Sequence, residues 1–204
     1  ILTGQAREAV HLFLSTGRGK FEHQITLERH PAWGHSHIEV LDFNKDGHPD
    51  LLITNGDNAE IKNYPPKPYH GIRLHLNDGR NQFNKEFFFP QYGAYRAMAA
   101  DFDEDGDLDI ASIAYFGRHD ITPKAGFVFL RQDKPMEFSA HTHPTTLDGR
   151  WLSMDVGDID MDGDFDIALG AMNEGPSQEH FPEKLNARWR KNPVPVLILK
   201  NRSK

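Results

Sequence analysis

Short apolar runs bounded by turn-forming residues recur along the chain, the pattern of β-strands rather than of long helices. Val10-His11-Leu12-Phe13-Leu14, followed by Gly17 and Phe21, matches Ile72-Arg73-Leu74-His75-Leu76, followed by Gly79 and Phe83. The same pattern returns as Phe127-Val128-Phe129-Leu130 followed by Phe138, and as Val196-Leu197-Ile198-Leu199. A further extended run follows each of the first three, around Phe21–Glu28, Phe83–Phe89 and Phe138–His143. Another family of short runs comprises Ile38–Leu41, Ala97–Ala100 and Met154–Val156, each paired with a partner run at Leu51–Thr54, Ile110–Ala114 or Ile167–Met172. The predicted unit is strand, hairpin, strand, variable loop, strand, turn, strand, and it repeats every 57 to 59 residues.

The hairpins between the first two strands of each unit carry the chemistry. They read Asp42-Phe43-Asn44-Lys45-Asp46-Gly47-His48-Pro49-Asp50, Asp101-Phe102-Asp103-Glu104-Asp105-Gly106-Asp107-Leu108-Asp109 and Asp158-Ile159-Asp160-Met161-Asp162-Gly163-Asp164-Phe165-Asp166. Each keeps a side-chain oxygen at positions 1, 3, 5 and 9 and a glycine at position 6. Unpaired carboxylates at this density repel one another, so a hard cation is the natural occupant. The glycine supplies a left-handed turn that a Cβ would oppose. A solvated acidic loop is the plain alternative for a single such run; three at one period point to Ca²⁺. An EF-hand needs a Glu at position 12 and flanking helices. Position 12 here is Ile53, Ser112 or Leu169, and the flanks are β-type runs, so that alternative fails.

Four antiparallel strands per repeat is the blade of a β-propeller. The expected fold is all-β: blades of four antiparallel strands with Ca-binding hairpin loops, forming an incomplete part of a larger propeller. Residues 1–34 are the end of one blade, 35–92 and 93–150 are blades, and 151–204 a partial blade. Both ends supply the same third strand, so they compete rather than complete one ring.

Asp-x-Asp/Asn-x-Asp-Gly-x-x-Asp followed by Leu or Ile, recurring on four-stranded units, resembles the FG-GAP/VCBS repeats of integrin-α-like propellers. Thr54-Asn55-Gly56-Asp57-Asn58-Ala59, Lys67-Pro68-Tyr69-His70-Gly71 and Gly149-Arg150-Trp151-Leu152-Ser153-Met154-Asp155-Val156 resemble the bacterial VCBS-repeat type. The Phe-Gly-Gly-Ala-Pro signature is absent from the blade starts, so an integrin-like adhesion role does not follow. The resemblance implies up to three structural Ca²⁺ ions, held by side chains at positions 1, 3, 5 and 9 and by the carbonyl of position 7. Those ligands are Asp42, Asn44, Asp46, His48 (backbone) and Asp50 in the first loop. They are Asp101, Asp103, Asp105, Asp107 (backbone) and Asp109 in the second, and Asp158, Asp160, Asp162, Asp164 (backbone) and Asp166 in the third. Asn44 removes one negative ligand, so the first loop is expected to bind most weakly.

Composition narrows the function. Net charge is −7, but 14 of the 30 Asp and Glu lie in the three loops, and three Ca²⁺ would bring the chain to about −1. With no basic stripe, a nucleic-acid partner is not expected. The absence of cysteine leaves redox compartment undetermined. Dense calcium loops suit an extracytoplasmic setting, whether periplasm, secretion or cell surface. No apolar run approaches the ~18 residues of a spanning helix. The start at Ile1-Leu2-Thr3-Gly4 reads as a processed or partial chain.

No Gly-x-Ser-x-Gly or His-Glu-x-x-His motif is present, so the chain is expected to be a non-enzymatic binding or scaffold module. A protein partner would meet the face opposite the acidic hairpins; the remaining propeller blades are the other expected partner. That face collects Gly56–Gly71, Tyr115–Gly126 and Asn173–Pro193, with Trp33, Tyr92, Tyr95 and Trp151. The tryptophans are read as packing between blades; stacking on sugars, in a lectin-like carbohydrate-binding propeller, is the alternative. A second alternative is an accessory propeller of a larger enzyme or membrane-associated complex. Pro182–Lys191 is predicted to be a short helix. His30, His35 and His37, with His141 and His143, are scattered junction residues or, less simply, a transition-metal site.

Overall fold

The computed structural model describes residues 8–29, 33–58, 66–122 and 124–202. Ile1–Gly4, His30 and residues 59–65 of the first long loop lie outside the described residues.

Among the described residues thirteen strands form four antiparallel sheets. β1 (Glu8–Gly17) pairs with β2 (Lys20–Arg29). The second sheet runs in order through β3 (His35–Leu41), β4 (Asp50–Asn55), β5 (Gly71–Leu76) and β6 (Lys85–Pro90). The third runs through β7 (Ala94–Ala100), β8 (Asp109–Ala114), β9 (Phe127–Lys134) and β10 (Glu137–His141). The fourth holds β11 (Trp151–Gly157), β12 (Asp166–Ala171) and β13 (Val196–Leu199). Between β12 and β13 lies the helix α1 (Glu183–Lys191), and a 3₁₀ turn, Pro144–Asp148, precedes β11.

The sheets stack face to face because their central strands alternate apolar side chains to both sides. In β4, Leu51 and Ile53 face the first sheet, where Val10, Leu12 and Leu27 pack on them together with Phe83. Leu52 points the other way, into a cluster with Ile72, Leu74, Ala97, Ile110 and Leu130 that joins the second and third sheets. β8 repeats the division. Its Ile110 enters that cluster, while Ala111 and Ile113 join Trp151, Met154, Ile167 and Leu169 between the third and fourth sheets.

The leading strands tie neighbouring sheets together. β7 lies against β3 and β4, and β11 against β7 and β8. Ser36 Oγ donates to the Ala94 carbonyl (3.0 Å), Thr54 Oγ1 to that of Tyr95 (3.0 Å), and Glu39 Oε2 accepts from the Ala99 amide (3.0 Å). Backbones meet so closely here that side chains are excluded. A Cβ on Gly93, whose φ is +72°, would stand 2.2 Å from the Phe116 backbone.

The second, third and fourth sheets each place an acidic hairpin between their first two strands, at β3–β4, β7–β8 and β11–β12.

Candidate metal centre

The three hairpins fold to one backbone. Position 4 is left-handed in each (Lys45 φ 58°, Glu104 φ 59°, Met161 φ 63°), and so is the glycine at position 6 (Gly47 88°, Gly106 96°, Gly163 96°). These turns aim successive amides and carboxylates inward. The first aspartate takes the glycine amide on Oδ2, at 2.8 Å for Asp42, 3.2 Å for Asp101 and 3.0 Å for Asp158. The position 5 aspartate accepts from the amide of position 7, at 2.9 Å in the first loop, 3.0 Å in the second and 3.2 Å in the third.

The carboxylates converge in two of the loops. Oxygens of Asp101, Asp103 and Asp105 lie within 4.8 Å of one another, as do those of Asp158, Asp160 and Asp166. Among the described residues no histidine joins either cluster. The first loop forms no such trio. There the Asn44 amide donates to Asp46 Oδ2 (2.9 Å), and that bond, with the His48 amide, holds the Asp46 carboxyl below its ordinary range.

These residues fit a hard divalent cation. The second loop offers oxygen alone, from three aspartates, and Asp101 Oδ1 is buried without a hydrogen-bond partner beside the other two carboxylates. Asp101, Asp103 and Asp105, and Asp158, Asp160 and Asp166, would hold the ion. Its chemistry would be charge neutralisation within the hairpin.

The aspartate at position 9 does something that the sequence pattern does not reveal. It is buried in every loop, and its two oxygens join different parts of one sheet. Oδ2 accepts from the position 2 amide: Phe43 to Asp50 (2.9 Å), Phe102 to Asp109 (3.3 Å), Ile159 to Asp166 (3.0 Å). Oδ1 accepts from an amide in or just past the last residues of the third strand: Asn77 to Asp50, Gln132 to Asp109 and Asn201 to Asp166, each 2.8 Å. One carboxylate therefore clamps the hairpin to the outer part of its sheet.

Burial has an electrostatic consequence. It pushes Asp109 up to about 6, further than the opposing bonds from Gln132 and Phe102 lower it, and it also raises Asp50 and Asp107. The folded metal-free chain thus holds the Asp109 proton more tightly than the unfolded chain. That contribution to stability is complete below about pH 4 and is lost as pH rises through about 6. A cation favours the ionised form and acts oppositely. The expected outcome is a calcium-induced gain in melting temperature that is small near pH 5 and full near pH 7.5, as read by thermal scans with and without calcium. A gain equal at both pH values would contradict this.

The opposite face is less open than its aromatic content suggests. Trp151 is completely buried, its Nε1 donating to the Thr146 carbonyl (2.7 Å). Trp33 stacks on Tyr69 at 5.9 Å, and the Arg73 guanidinium lies 4.3 Å from its ring. Tyr92 and Tyr95 are half-buried. In the long loop before β13, Trp189 of α1 is buried and donates to the Leu147 carbonyl (3.0 Å), seating the helix on the 3₁₀ turn. His143 caps that turn through Thr145. No helix among the described residues is long and apolar enough to cross a membrane.

Compared with known families and with curated proteins, the chain matches no family model and no curated sequence.

Proposed function

We propose that the chain is a calcium-stabilised segment of a β-propeller of the FG-GAP/VCBS type, serving outside the cytoplasm as a non-enzymatic binding or scaffold module. The observation that carries this reading is one hairpin backbone, with the same two left-handed positions, recurring three times on successive antiparallel sheets. Sheets that bury both faces and meet through their leading strands are what blades around an axis require. Oxygen-only clusters on the hairpins suit calcium, and the hairpins tie neighbouring sheets: Lys45 of the first reaches the Gly106 carbonyl of the second. The metal's part is structural, because each cluster sits on a hairpin that its own sheet clamps in place.

Apolar side chains on the outer faces support a place within a larger stack. Phe13, Phe21 and Ile25 are more than half exposed on the first sheet, as is Val196 on the last. Completion of the ring, by this polypeptide or another, would cover them. The lectin-like alternative loses one of its two anchors, since Trp151 has no accessible ring face.

Calorimetric titration with Ca²⁺ tests the reading. Three sites are expected, the Asn44 loop being the weakest, and Asn44→Asp should tighten that site by roughly tenfold, following the dependence of affinity on ligand charge count. No heat of binding at millimolar calcium, or the Asn44 loop as the tightest site, would overturn it.

A further inference from the structure

Beside each acidic hairpin runs the third strand of its own sheet, and the three sheets differ at one position there. Asn77, Gln132 and Asn201 are equivalent, because each donates its amide to the position 9 aspartate at 2.8 Å. The strand register agrees: the residue after that aspartate stands opposite His75, Leu130 or Leu199. A single residue falls between these two marks. It is Leu76 in the second sheet, Arg131 in the third and Lys200 in the fourth. One apolar residue and two cations therefore share one place beside three acidic hairpins.

The two cations are engaged differently. Lys200 Nζ lies 2.7 Å from Oδ2 of Asp160, which is position 3 of the third hairpin and one of the three carboxylates that converge there. Arg131 is engaged on its own strand: Nε and Nη2 both donate to Asp133 Oδ1, at 2.9 and 2.6 Å. Ser139 Oγ donates to the same carboxylate oxygen (3.2 Å). Asp103, position 3 of the second hairpin, accepts the Asp105 amide at 3.3 Å instead of a cation. Two residues beyond Lys200 stands Arg202, where the third sheet has Asp133, so no carboxylate at that place draws Lys200 away from its hairpin.

Building on the calcium reading of the hairpins, we propose that Lys200 is a built-in competitor for the third cation site, holding Asp160 until a divalent ion displaces it, and that Asp133 keeps Arg131 from doing the same at the second site. An ammonium on a ligand carboxylate opposes a divalent ion twice: the pair has to break, and its positive charge still repels the ion from nearby. Lys200 is 51% exposed, so water screens the pair and the competition is moderate rather than prohibitive. In the metal-free state the same pair neutralises part of the third hairpin, a relief that the second hairpin lacks. The side chain at this position, and not the carboxylate pattern alone, sets which hairpin fills first.

The amides of Gly106 and Gly163 each donate to the first aspartate of their own hairpin, so each reports on one site. Both are followed by heteronuclear NMR while Ca²⁺ is titrated into the intact chain. Gly106 should respond at lower calcium than Gly163. Lys200→Met should shift the Gly163 response to calcium concentrations lower by roughly three- to tenfold and leave that of Gly106 in place, whereas Lys200→Arg should bring no such gain. Asp133→Asn, which releases Arg131, should weaken the Gly106 response by about threefold, and adding Arg131→Met should restore it. A Gly163 response that Lys200→Met leaves unmoved, or that Lys200→Arg tightens equally, overturns the proposal while the calcium reading stands. So does a Gly106 response indifferent to Asp133→Asn. No response of either glycine at millimolar calcium overturns the calcium reading and this proposal with it.

Discussion

Asp109→Ala should destabilise the protein severely whether or not calcium is present. Its carboxylate accepts the Phe102 and Gln132 amides, at 3.3 and 2.8 Å, in a fully buried setting. Removing it leaves two buried N–H donors without partners, each costing about 1–3 kcal/mol. The combined loss of roughly 2–6 kcal/mol is a large fraction of the 5–15 kcal/mol that holds a typical domain together. Asp103→Ala provides the contrast. Asp103 is exposed and accepts only a weak bond from the Asp105 amide, 3.3 Å within its own turn. Its loss should be nearly silent in chelator and should appear only when calcium is present. Urea unfolding of both variants, each in chelator and in calcium, separates the two roles. Equal destabilisation of the two variants in chelator would mean that position 9 is no clamp.

That distinction marks where the sequence stops being informative. Carboxylate spacing and the glycine at position 6 are local features, so the three hairpins and the flanking strands were legible: Leu51–Thr54 was expected and Asp50–Asn55 is observed. The leading strands begin about three residues earlier than their apolar runs, because His35, Ser36 and their counterparts Ala94 to Arg96 pair across a bulge and bond to the next sheet. Polar residues recruited by tertiary contacts carry no periodic signal. For the same reason the spacing offered the ninth position as a metal ligand but gave no sign of its clamp. Its partners, Asn77, Gln132 and Asn201, are 23 to 35 residues away, and only the folded sheet brings their amides to it.

The aromatics show the complementary limit. Trp151, read from the sequence as packing between blades, and Trp189 of α1 are both buried, and both donate Nε1 to carbonyls of one 3₁₀ turn, Thr146 and Leu147. A turn of five residues, Pro144–Asp148, leaves little trace in hydrophobic pattern. The helix after Pro182 was legible from its proline start and basic end, and is observed at Glu183–Lys191. Its seat on that turn was not.

The second large effect is that of the metal itself. A site with a dissociation constant near ~0.1 mM stabilises the fold by about 1.4 kcal/mol at millimolar calcium. Three such sites add about 4 kcal/mol, and a chain of this size gains about 2–4 °C of melting temperature per kcal/mol. Without the ion, Asp101, Asp103 and Asp105 repel one another across less than 4.8 Å, so the metal-free hairpin is the weak point of its sheet. The most direct measurement is therefore a thermal scan of the intact chain in chelator and again after calcium is restored. The account predicts a fall of roughly 8–16 °C, fully reversed by calcium; identical melting curves in chelator and in calcium would contradict it.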